Sequence, residues 1–414
     1  MAGNLPLGYL SPLPYELLSM ILPPATADVN VPCTAHEQRE RLLLAAKLSS
    51  LSRAWRALAH TWWSRLEFEV GRHPVDPTLL AILESGTLEH LGQHVKHLTL
   101  TSQVRERVTH KEAAAETIPL NFRNLCTAVE SVTLATEITT ATYWTDALYA
   151  PPLPRLERLT CVLSFGLLRF LCQLEAAPSL KFLAVTLRRS ARSFAWRWFH
   201  EPYAGVLPTL SLHELCLVAD LSTTEPNAMP NYVAAFGTLV RTLTPIVEPN
   251  CLTAVDIAYC SEHEAVIALL IRCRSLRRLA LRPTTAVAGN LRSLAMDHAS
   301  AWPALEQLEI DLHPQELLLN PNQPISEAPL KLADWIVPLP RTLIRLDLAF
   351  VLELSDKLRF ARAFADPAHP HLIEIGGYVL GRPSTGTASR VPIRTRWQRG
   401  SEYNVHDESM MRLP

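Results

Sequence analysis

Glycine is scarce in this 414-residue chain, with 14 positions, and no G-x-x-x-x-G-K, G-x-G-x-x-G, G-x-S-x-G or H-E-x-x-H string occurs. Phosphate cradles and nucleophile elbows need glycine where the backbone approaches the ligand or turns sharply, so the usual nucleotide and hydrolase sites are not announced. C-x-x-C pairs are missing too. The eight cysteines, Cys33, Cys126, Cys161, Cys172, Cys216, Cys251, Cys260 and Cys273, sit mostly in apolar stretches, where a thiol behaves as a small hydrophobe. A reducing compartment is therefore expected. Charged residues make up only 19% and the formal net charge is -1, which provides no general attraction to nucleic acid or to an acidic membrane. The best uncharged apolar run, Ala265 to Ile271, is far too short to span a bilayer. The start, MAGNLPLGYL, has neither a basic segment nor a long apolar one, and no N-x-S/T acceptor occurs. A cytoplasmic or nuclear location is the expectation. No metal site or cofactor is expected either. Glu262, His263 and Glu264, with Asp256 nearby, are consecutive residues that do not share one helix face, and the helix dipole explains the acids. His90, His94 and His97 read as packed or solvated histidines.

What the chain does have is a phrase repeated ten times between Val95 and Ile375: an apolar residue followed by apolar residues three and five places later. The clearest copies are LRRLAL from Leu276, LEQLEI from Leu305 and LIRLDL from Leu343; others start at Val95, Val129, Leu156, Leu180, Leu212 and Leu252, with a weaker last copy at Leu372. Starts are 24 to 40 residues apart, the length of one strand plus one helical return. Alternate strand side chains point to opposite faces, so Leu279 and Leu281 are expected inward, and Arg278, Ala280 and Arg282 outward. Stacked units then share one core and expose a ladder of residues in register. Its outward members include Lys96, His97, Thr99, Glu157, Arg158, Thr160, Arg278, Glu306, Glu309, Arg345 and Asp347. Their mixed charge carries no single target signature.

The phrase resembles the strand segment of leucine-rich repeats. The stretch it covers is about two thirds of the chain, and only LTAVDIAYC, ending at Cys260, has the cysteine or asparagine that the family places after its strand. The resemblance implies an α/β fold, an irregular leucine-rich-repeat solenoid of about ten units with parallel strands and helical returns over residues 76–380. Helical returns are expected at Phe165 to Ala177, Met229 to Val247, and Ser261 to Cys273. The last has a serine cap, acids in its first turn, and Ala265, Leu269, Ile271 and Cys273 as buried positions. Pro178 and Pro249 close two of these helices.

Residues 1–75 carry a different pattern. Leu13, Leu17, Leu18, Ile21 and Leu22 recur at helical spacing, as do Leu44, Leu48, Leu51, Trp55, Leu58, Trp62 and Leu66. So much apolar and aromatic surface in so few residues makes a poor free-standing domain. The segment resembles an F-box, the helical module that docks a substrate receptor onto the Skp adaptor of a cullin-based ubiquitin ligase. The likeness rests on L-P-x-E-L-L-x-x-I-L at Leu13 to Leu22 and L-S-x-x-W-R-x-L-A at Leu51 to Ala59. It implies that Leu13, Pro14, Leu17, Ile21 and Leu22 form a first contact helix, and Leu51, Trp55, Arg56 and Leu58 the end of the module. The departure is an insertion over residues 23–40 containing Pro23, Pro24 and Pro32.

Taken together, the resemblances imply a non-catalytic substrate receptor that binds a Skp-type adaptor, and through it a cullin, at one end and a target protein through its repeats. Two other classes stand beside it: a repeat scaffold unrelated to ubiquitin whose N-terminal helices only cap the core, as terminal solenoid units must, and an enzyme, for which no titratable pocket is announced.

Two further segments stand out. LRRSARSFAWRWFHEPY interleaves Arg188, Arg189, Arg192 and Arg197 with Trp196, Trp198 and other aromatics. It reads as a crossover helix with aromatics inward and arginines snorkelling outward, as a target-binding patch, since arginine and tryptophan dominate interaction hot spots, or, least favoured, as a surface that stacks single-stranded nucleic acid. Residues 381–414 lose the periodicity and read as a flexible C-terminal tail, with docking of Trp397 on the last repeat as the alternative.

Overall fold

The computed structural model describes residues 64–69, 94–101, 128–134, 154–163, 177–188, 209–220, 229–258, 263–282, 301–311, 340–352, 369–381 and 391–398. The chain divides into two compact units, Met1–Leu180 with Ser190–Pro208, and Lys181–Arg189 with Thr209–Pro414. The class is α/β, built on parallel strands with helices between them.

In the first unit, β1 (Arg65–Glu69), β2 (His97–Thr101), β3 (Ser131–Leu134) and β4 (Arg158–Leu163) pair in sequence order, all parallel. Ten phrases were read, and each coincides with a strand. An additional strand, β1, corrects the placement of Leu66 on a helix. Trp63-x-x-Leu66-x-Phe68 is the same phrase written with aromatics, and Leu66 and Phe68 lie opposite Leu98 and Leu100 of β2.

In the second unit, β5 (Phe182–Arg188), β6 (Glu214–Asp220), β7 (Ala254–Ala258), β8 (Arg278–Arg282), β9 (Gln307–Asp311), β10 (Arg345–Leu352) and β11 (Glu374–Gly381) also pair parallel in order. Two helices are described between them: α1 (Met229–Ile246) before β7 and α2 (His263–Leu270) before β8. β12 (Val391–Gln398) then pairs antiparallel with β11 from Glu374 to Gly381. This strand lies inside the stretch read as a tail. Its backbone completes the hydrogen bonding along β11.

Register follows the phrase. Leu183, Leu215, Val255, Leu279, Leu308, Leu346 and Ile375 lie opposite one another from β5 to β11, all buried. A one-residue slip would turn each set to the opposite face, so burial of that face specifies the pairing. At about 2 kcal/mol per buried leucine, these columns are a principal source of stability.

Among the described residues, β5, β8, β9, β10 and β11 are each preceded by a tight turn. The amides of Leu180, Leu276, Leu305, Leu343 and Leu372 donate to the carbonyls three residues earlier, on Ala177, Cys273, Trp302, Pro340 and His369, at 3.1 to 3.3 Å. Pro178, Pro303 and Pro370 occupy the second position of three of these turns, where a fixed φ pre-sets the geometry. Pro178 is thus a turn former ahead of β5.

The residue after each turn contributes a second device: its carbonyl accepts two consecutive amides from the next unit. Lys96 and His97 both donate to Ser64, and Glu130 and Ser131 to Lys96. In the second unit His213 and Glu214 donate to Lys181, Thr253 and Ala254 to His213, and Arg277 and Arg278 to Thr253. The same sharing continues through Arg277, Glu306 and Ile344 to β11. Backbone donors that would otherwise be orphaned where the strand begins are satisfied in this way.

The helix expected over Met229 to Val247 forms as α1, which buries Ala235, Phe236, Leu239, Val240, Leu243 and Ile246. It packs against α2, and Arg272 donates to the Thr244 carbonyl beyond it. In α2, Ala265 and Leu269 are buried as expected, with Val266 and Leu270 beside them. Ile271, expected inward, lies past the helix end and is 38% exposed. The helix predicted for Phe165 to Ala177 falls outside the described residues except Ala177, which opens the turn before β5.

Candidate binding surface

The outward positions of the second unit assemble a row that no local stretch of sequence contains. Ala184, Cys216, Asp256, Ala280, Glu309, Asp347 and Gly376 are register partners on seven successive strands, β5 to β11. Three carboxylates therefore share one line across the sheet, with Glu309 and Asp347 directly opposite on adjacent strands. Like charges in that relation are destabilising.

Arg282, two residues further along β8, answers part of this charge. Its Nη2 lies 3.3 Å from Asp256 Oδ2 and 3.8 Å from Glu309 Oε1, so the guanidinium bridges the strands on either side of its own. Ala280, between those carboxylates, is correctly placed outward yet only 2% exposed. A small residue there leaves room for the longer flanking side chains. The Oδ1 atom of Asp256 is buried and has no hydrogen-bond partner.

At the far end of the row, Asp347 occupies space that Gly376 leaves empty. A Cβ at Gly376 would stand 2.7 Å from Asp347 Oδ1 and 2.9 Å from its Cγ. No ordinary contact is that close, so any side chain at 376 would force the Asp347 carboxylate to move. Beside this row runs a second one of mixed sign, where Arg345 Nε lies 3.8 Å from Glu374 Oε2. One position earlier in the repeat, Arg277 pairs with Glu306 at 3.7 Å. In the first unit Lys96 pairs with Glu130 at 3.1 Å. Pairs this exposed contribute little to stability.

The four described thiols do not suit nucleophilic chemistry. Burial pushes Cys161 up to about 12 and Cys273 to about 11. Cys216 is pushed to about 11, first by burial and then by the Asp256 carboxylate, with Arg282 and Arg278 pulling the other way. Cys251 is also raised, with burial as the leading cause. A reactive thiolate requires the opposite shift.

Among the described residues no group of three or more histidine, cysteine, aspartate or glutamate side chains could hold a metal ion. Asp256, the outlying member of the considered cluster, is engaged with Arg282, and Glu264 is exposed in the first turn of α2. No described helix is long and apolar enough to cross a membrane.

Of the residues predicted to bind a target, Arg188 ends β5 opposite Asp220 of β6. Arg189, Arg192, Trp196, Arg197 and Trp198 lie outside the described residues. So do Leu13, Pro14, Leu17, Ile21, Leu22, Leu51, Trp55, Arg56 and Leu58, predicted to contact an adaptor. Sequence reasoning placed Glu309, Asp347 and Arg282 outward but missed their alignment with Asp256 and Gly376. The signal was present as the fifth position of each phrase, read down the copies.

No protein-family model matches this chain, and no curated protein matches it. Among solved structures, a protein of Bacteroides fragilis determined by structural genomics superposes with a TM-score of 0.29 at 14% identity, over 75% of this chain and 68% of that one. Superposition of that degree does not define a shared fold.

Proposed function

We propose that this protein is the substrate-recognition subunit of a Skp/cullin/F-box ubiquitin ligase, with its repeated strands forming an irregular leucine-rich-repeat solenoid. The observation that carries the reading is the ordered pairing of LPYELLSMIL at Leu13 to Leu22 with LSRAWRALA at Leu51 to Ala59, followed by repeated strand phrases. Leu17, Ile21 and Trp55 anchor the adaptor, while the outward strand rows and the Arg188 to Trp198 segment serve as target surface. The chain supplies no acid, base or nucleophile. It raises the local concentration of target lysines beside the charged conjugating enzyme, and proximity accounts for the rate gain.

A scaffold with a helical cap is the second reading. It is favoured by the position of β1, which starts at Arg65, inside the amphipathic run that was read through Leu66. Co-purification of the full chain with a Skp adaptor separates the two. Under the receptor reading, Leu17→Ala with Trp55→Ala abolishes binding, at about 2 kcal/mol per anchor, while circular dichroism remains that of the folded protein. An intact chain that does not bind the adaptor overturns the receptor reading in favour of the scaffold.

A further inference from the structure

We draw no further inference here: the strongest candidate, the row of carboxylates Asp256, Glu309 and Asp347 on the outward face of β7, β9 and β10, is an acidic cluster for which no second observation among the described residues points to a ligand.

Discussion

The indole Nε1 of Trp302 donates to the carbonyl of Leu270 at 2.8 Å, and both residues are fully buried. Leu270 is the last residue of α2, where carbonyls lose their helical partners. The tryptophan that opens the turn before β9 thus caps the helix of the preceding unit. That carbonyl also accepts the Cys273 amide at 3.0 Å, so Trp302→Phe keeps most of the volume and removes one of its two bonds, at a cost of about 1 kcal/mol. Chemical denaturation measures this directly, and an unchanged midpoint would show that the bond contributes nothing net.

Gly376 and Asp347 make a second testable pair. Gly376→Ala places a methyl against the Asp347 carboxylate, and overpacking of this kind costs about 1–3 kcal/mol. Adding Asp347→Ala removes the obstructing group. The double variant is expected to recover stability relative to Gly376→Ala alone, with a coupling in the double-mutant cycle above about 0.5 kcal/mol. Strict additivity would mean that the two residues do not meet.

His369 opens the turn before β11, where sister turns have Ala177, Cys273 and Trp302. It is 1% exposed and neither ring nitrogen has a hydrogen-bond partner. Burying such polar atoms carries a penalty that an apolar residue of similar size avoids. His369→Leu is therefore expected to raise stability by about 1–2 kcal/mol. A lower unfolding temperature in a thermal melt would count against this account.

The raised thiols predict both reactivity and alkaline behaviour. Cys161, buried and raised to about 12 from 9.0, is expected to resist alkylation in the native protein and to react on unfolding, as peptide mapping by mass spectrometry would show. Its protonated form is the one favoured by folding. Above pH 9.0 the unfolded chain loses this proton first, so the contribution is intact below that pH and is lost as pH rises toward about 12. Denaturation series across that window should show Cys161→Ala flattening part of the alkaline decline. A slope identical to that of the unsubstituted protein would contradict the assignment.

Much of the strand framework was legible because burial imposes a period that survives in the residues themselves: Leu276, Leu279 and Leu281 declare a strand and its inward face. The strand at Arg65 was less visible, since Trp63 and Phe68 fill two of its three apolar positions and the preceding helical spacing ran on through Leu66. β12 was hidden for another reason. VPIRTRWQ alternates Val391, Ile393, Thr395 and Trp397 with Pro392, Arg394, Arg396 and Gln398, the period of a strand, but it lacks the repeated phrase by which the other strands were recognised. Pro178, read as a helix stop, stands in a turn, as Pro303 and Pro370 do. The carboxylate row was illegible locally because Asp256, Glu309 and Asp347 are dozens of residues apart and meet only through register.

The carbonyls of His213 and Thr253, each shared by two amides of the following unit, illustrate how alignment survives irregular spacing. Phrases start 40 residues apart from Leu212 to Leu252 but 24 from Leu252 to Leu276, and both joins use the same pair of bonds. Connection length is therefore decoupled from alignment: residues added between units are slack, while the clip at each turn re-zeroes the count. Such a chain can diversify its loops at low risk to the frame that displays them.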